Sequence, residues 1–257
     1  MTTRATASRQ WTPEALAALP VESGFRLRGL EVTRLDTFID AAFAFVLTLL
    51  VISFDELPET YEQMIGAIKR ITAFGVSFVM LMLFWVQHRA FSRRFGLETP
   101  RTLMLSLMLI FTVLVYVFPL RTVIAGMFAQ LSGGYLPADF VVRDFDELRG
   151  LFLFYSSGFL PMSVLVWLLV GEALRAGDRL LLDAGERLRC GSERFVWASC
   201  GVAATLSIIF ALTLPDGYVP LAGYIYWGLS ASIPLVLSRR RRALRALEVE
   251  AGTAPRA

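Results

Sequence analysis

The sequence predicts an all-α, polytopic membrane protein with six transmembrane helices. Three observations carry that reading. Of 257 residues, 56% are hydrophobic and only 18% are charged, against about a quarter charged in an ordinary soluble domain. The apolar residues gather in six blocks, each near the ~20 helical residues that cross a hydrocarbon core roughly 30 Å thick. The basic residues are concentrated in alternate connecting segments, as the positive-inside rule requires of spans that cross in turn.

The blocks lie at about 37–54, 71–88, 102–120, 151–171, 195–214 and 218–238. The fifth and sixth are joined by Leu-Pro-Asp-Gly-Tyr-Val-Pro, a turn short enough only for a helical hairpin. Pro161 falls inside the fourth block and predicts a kink, which membranes tolerate where neighbours satisfy the freed carbonyl. Pro119 predicts an end or kink of the third helix near one membrane surface. The domain organisation read from these blocks is a tail over 1–33, a six-helix membrane domain over 34–238 and a basic tail over 239–257. The first thirty residues lack the apolar run of a signal peptide, and 13–19 could form one short helix.

Charge sets the expected orientation. With the N-terminus cytosolic, inside segments hold 20 of the 25 Lys and Arg residues. The outside loops hold Lys69, Arg70, Arg121, Arg143 and Arg149, together with nine of the 22 acids. Outside segments sum to about −4 and the rest to about +7, so both termini are expected to be cytosolic. Cys190 and Cys200 form no disulfide framework and read as reduced thiols.

Polar residues in and beside the first span are unusual for an anchor. Asp36 and Asp40 stand one turn apart at its start, just after Arg34, and hydrocarbon makes such acids costly unless they face protein or water. The bland account is an Arg34 pair with Asp36 or Asp40 that sets helix depth. Ala41, Phe45, Thr48 and Ile52 recur at i, i+4, i+7 and i+11 and share one stripe. Beyond the span, Asp55, Glu56, Glu59 and Glu62 form an acidic segment. It is either an ordinary solvated loop or an external mouth whose potential concentrates cations.

His88, the one histidine, closes the second span beside Trp85; it reads first as a structural hydrogen-bonding group. With a single histidine, His-rich metal sites are excluded, and no phosphate loop or Ser/His pairing supports an enzyme. The segment Ala-Gln-Leu-Ser-Gly-Gly-Tyr-Leu-Pro has a Gly-Gly-Tyr like that of a carbonyl filter but lacks the Thr-Val start, and it reads as a turn. The run of arginines at 239–242 is a stop-transfer collar, with lipid binding as the other reading.

The order Arg34…Phe38-x-Asp40 followed by Ala-Phe-Ala-Phe-Val-Leu-Thr-Leu-Leu resembles the R-x-x-x-F-S-D signature of the "transmembrane protein 175" potassium channel family, in its bacterial six-helix form. Phe-Trp-Val-Gln-His-Arg-Ala-Phe is similar to that family's Trp-x-x-His segment, and Phe-Pro-Leu-Arg-Thr to the end of its third helix. The likeness is strongest over 34–122. It implies a homotetramer in a bacterial plasma membrane, with helix one lining a central pore and side chains making the constriction. Phe45 then falls on the family's Ile or Leu constriction, Thr48 on its Thr one turn outward, Ile52 on a further apolar ring, with Ala41 on the same face. Arg34, Phe38 and Asp40 tie helix one to Trp85 and His88. The implied function is a leak-like, potassium-permeable channel that needs no cofactor or metal beyond the permeant ion, with the lipid bilayer and its own copies as partners and no nucleic acid.

Two positions depart from the pattern: Ile39 stands where the family has Ser, and Phe45 is bulkier than Ile. A conducting channel, a proton-coupled carrier using Asp36 or Asp40, and a non-conducting scaffold of the same fold all remain open to the residues alone.

Overall fold

The computed structural model describes residues 11–52, 59–138, 142–250 and 252. Helix α1 (Pro13–Ala17) and a hairpin of strands β1 (Val21–Glu22) and β2 (Phe25–Arg26) precede the long helices. These are α2 (Arg34–Ile52), α3 (Tyr61–Phe95), α4 (Pro100–Leu131), α5 (Phe145–Arg175) and α6 (Ala184–Thr213). A broken stretch follows, with 3-10 turns at Asp216–Tyr218 and Ile225–Trp227 around the short α7 (Leu221–Tyr224), before α8 (Gly228–Glu250).

Local chemistry accounts for the boundaries. The threonine before α3, Thr60, accepts from Gln63 N at 3.2 Å while the Gln63 side chain accepts from Thr60 N, a reciprocal cap. Thr99 and Thr102 do the same for α4, with Pro100 at its first position, where a missing N–H costs nothing. Gly96 ends α3 in the left-handed region at φ 55°, the usual role of glycine after a helix.

Helices α3 through α6, and the stretch from Asp216 to Leu247, are each long and apolar enough to cross a membrane. The helices overrun the apolar blocks: α3 begins ten residues before 71 and ends seven after 88. Pro119 does not end α4, which continues to Leu131. Pro161 likewise lies inside an unbroken α5. The sixth block is not one helix, because Pro220, Gly223 and Gly228 fall within it and weaken helical continuity. Gly133 and Gly134 take φ of 62° and 86° in the turn after α4, as expected for that segment.

The core is apolar and aromatic. Buried Phe84, Leu109, Val113, Tyr116, Phe159, Met162 and Val166 join α3, α4 and α5, and α5 packs along both α4 and α6. Polar groups at depth are paired between helices: Ser156 on α5 donates to Ser207 on α6 at 2.9 Å and lies 2.8 Å from the Tyr226 hydroxyl. Arg149 ties the far end, donating to the Ala211 and Leu214 carbonyls at 2.7 and 2.6 Å and pairing with Asp216 at 2.8 Å. A guanidinium there satisfies carbonyls that the end of α6 leaves open and complements its dipole.

Residues 11–33 fold back onto the bundle. Phe25 is buried edge-on against Phe95, and Gly29 N–H donates to the Arg93 carbonyl at 2.9 Å. Backbone meets backbone here, since a Cβ on Gly29 would lie 2.2 Å from the Ser92 carbonyl oxygen and 3.0 Å from Gly96 Cα. Gly29→Ala is therefore expected to destabilise the protein by about 1–3 kcal/mol, the usual cost of overpacking, read as a lower thermal midpoint in detergent. An unchanged midpoint would count against this close crossing.

Candidate functional site

Helix α2 has two distinct faces. Ile39, Phe43, Val46 and Leu50, at i, i+4, i+7 and i+11, are all at most 2% exposed and pack towards α3 and α4. On the opposite side Phe38 and Phe45 are each 55% exposed, and Ala41 and Thr48 are exposed with them. The stripe read from the sequence thus points away from the protomer's own core. Ile52 closes α2 and its side chain lies outside the described residues, as do Asp55 and Glu56. Glu59 and Glu62 are exposed, the latter in the first turn of α3.

Thr48 donates its hydroxyl hydrogen to the Phe45 carbonyl at 2.7 Å. That bond uses the donor within the helix and leaves both lone pairs of the oxygen for a cation or water on the exposed face. A threonine anchored in this way offers an acceptor to the face it shares with Phe45 and Ala41.

The acids at the start of α2 are engaged. Asp36 accepts from Thr33 N and Thr33 Oγ1 at 3.0 and 2.9 Å, while Asp36 N donates back to Thr33 Oγ1. This reciprocal cap also places a negative charge at the positive end of the helix. Asp40 accepts from Trp85 Nε1 at 2.7 Å, fixing the rotation of α2 against α3. Among the described residues Arg34 forms no ion pair with Asp36 or Asp40, so that account of the acids does not hold in this structure. His88 is buried and its Nε2 lies 2.9 Å from Ser106 Oγ on α4. The structure therefore brings Asp40 and Trp85 together, turns His88 to α4 instead, and leaves Phe38 and Arg34 exposed. Ile39, 1% exposed, fills the core where a serine would need a polar partner.

One feature near the start of α2 went unread in the sequence. The Arg28 side chain is 0% exposed and makes a two-pronged bond to Glu186, itself 1% exposed, at 2.9 and 2.8 Å. Arg28 also donates to the Leu180 and Arg26 carbonyls, and Glu186 accepts from the Arg26 and Asp183 backbone. The pair is thus surrounded by compensating hydrogen bonds, without which burying charge is costly. The Asp183-x-x-Glu186 spacing is legible as a capping box; that its glutamate also receives Arg28 is not. Burial pulls the Asp183 carboxyl upward, but the Glu186 backbone N–H and the Arg26 guanidinium outweigh it and hold it below the usual range. Its contribution is in place above an ordinary carboxylate pKa of about 3.9 and is lost as pH falls through the lower folded value.

A bundle of long apolar helices whose first helix turns an apolar and hydroxyl-bearing face outward defines a multi-pass membrane protein. Residues 34–119 match the family model of the endosomal/lysosomal potassium channel TMEM175. A potassium channel of Marivirga tractuosa is 29% identical in an alignment of 228 positions that covers 84% of this chain and 90% of that protein. The crystal structure of a variant of the potassium channel MtTMEM175, in complex with a nanobody–MBP fusion protein, is similar with a TM-score of 0.73 at 25% identity. The likeness covers 88% of this chain and 99% of that one. Residues 34–119, which hold Arg34, Phe38, Asp40, Trp85 and His88, are thus similar to the TMEM175 channels, and the similar proteins are described as potassium channels.

Proposed function

We propose that this chain is one subunit of a homotetrameric, leak-like potassium channel with six spans per subunit. The observation that carries the reading is the outward face of α2, where Ala41, Phe45 and Thr48 are exposed and turned away from the core of their own protomer. Four such faces around one axis form a passage: Phe45 rings make an apolar constriction, and Thr48 oxygens one turn outward replace part of an ion's hydration shell. By helical spacing, position 52 falls on the same stripe one turn further along. Asp40 on Trp85 holds the helix at this rotation. Relatives described as potassium channels supply the permeant ion. The bias of Lys and Arg supports cytosolic termini, and in a bacterial plasma membrane Glu59 and Glu62, with Asp55 and Glu56, then give the outer mouth its negative charge.

Cross-linking tests the arrangement. In a background with Cys190 and Cys200 replaced by alanine, Thr48→Cys is expected to link to its own copies in native membranes under mild oxidation. A cysteine placed at Val202, exposed on α6, should not. Failure of position 48 to link in a protein that is tetrameric would remove α2 from the axis.

A further inference from the structure

We infer that a cleft between the N-terminal hairpin and the end of α3 binds the phosphate headgroup of an acidic phospholipid. The cleft holds about 130 Å³. Glu22, Ser23 and Leu27 form one wall, and Val86, Arg89 and Arg93 lie on the other. This inference needs α3 to sit in a membrane but does not need ion conduction.

The arginines of the cleft are not equivalent. Arg94 is committed, bonded to Glu193 at 2.8 Å and stacked 4.3 Å above the Phe25 ring. Among the described residues Arg93 pairs with Glu22 at 3.4 Å, with both side chains substantially exposed, a weak pair in water. Arg89 has no carboxylate partner among the described residues and lies 5.2 Å over the Trp85 ring. Two guanidiniums one turn apart therefore face one loosely held carboxylate. Their forked donors match phosphate geometry, which a single ammonium does not.

Depth points to a lipid. Val79, Leu83 and Val86 are each more than half exposed and follow one another at i, i+4 and i+7 on α3. Arg89 and Arg93 continue that row where the apolar block ends. An acyl chain lying along the valine and leucine stripe brings its phosphate to the two arginines, at the level where interfacial bases meet anionic headgroups. Ser23 caps the cleft from the hairpin turn, where its φ of 53° is unusual for a residue with a side chain. The Arg189 guanidinium packs behind that turn, against Gly24.

The test uses the full-length protein in detergent, titrated with dioctanoyl phosphatidylglycerol and followed by native mass spectrometry. Phosphatidylcholine of the same chain length and inorganic phosphate are the comparison ligands. The phosphatidylglycerol is expected to bind about tenfold or more tightly than either, and Arg89→Ala with Arg93→Ala to lose that margin, as loss of charge-assisted bonds predicts. Arg101→Ala should leave it intact. Glu22→Gln removes the competing carboxylate and is expected to tighten binding severalfold, in a variant that keeps its thermal midpoint without lipid. Equal binding of inorganic phosphate would reduce the cleft to a free-anion site. Unchanged affinity in the double arginine variant, or weaker binding in Glu22→Gln, would overturn the assignment.

Discussion

Phe45→Ala is expected to raise potassium flux through reconstituted liposomes by about tenfold or more, the change that accompanies a barrier lowered by about 1.4 kcal/mol. On the proposed arrangement four phenyl rings meet near the axis, where an ion must shed water against apolar surface and the passage dewets. Removing the rings admits water and lowers that barrier. The substitution should cost little stability, because Phe45 is 55% exposed and supports none of the buried face. That separates it from Phe43→Ala, where a 2% exposed ring would be lost from the core at about 3–5 kcal/mol. Flux that stays unchanged in a tetrameric Phe45→Ala protein would move the constriction off α2. Flux that follows an imposed pH gradient and vanishes in Asp40→Asn would replace the channel with a proton-coupled carrier.

Glu186→Ala is expected to have the largest effect on stability, about 3–5 kcal/mol, because it strands a buried guanidinium. Arg28 would keep its carbonyl partners but lose both carboxylate bonds. The backbone N–H groups of Arg26 and Asp183 would lose an acceptor at the same time. Replacing the pair by apolar residues therefore does not restore stability, since two donors remain unsatisfied. Glu186→Gln keeps the shape and much of the hydrogen bonding and should fall between wild type and Glu186→Ala. Unfolding of the detergent-solubilised protein, followed by tryptophan fluorescence, reads all three. A loss below about 1 kcal/mol for Glu186→Ala would put the pair in the class of exposed ion pairs.

What could be read from the residues followed from composition and period. Apolar blocks of membrane length announce spans whatever their packing, and a stripe at helical spacing selected Ala41, Phe45 and Thr48, the side of α2 turned away from the protomer core. The signature also placed Asp40 opposite Trp85, 45 residues on. Ends were less legible, since α3 is set by Thr60, Gln63 and Gly96 rather than by where hydrophobicity fades. Hidden altogether were contacts made by folding the tail back. Nothing local in Gly29 says that it must lie against Gly96, and Arg28 meets a glutamate 158 positions away. His88 sits beside Trp85 in sequence, yet its imidazole turns to Ser106 on α4, a choice that only packing makes.

The Arg28–Glu186 bond has a mechanical consequence. Arg28 is anchored to the start of α6 only a short stretch of chain before α2 begins at Arg34. That stretch is also pinned to the end of α3 through Gly29. A load applied where α5 turns into α6 therefore reaches α2 by a short tether outside the apolar core, with little slack to absorb it.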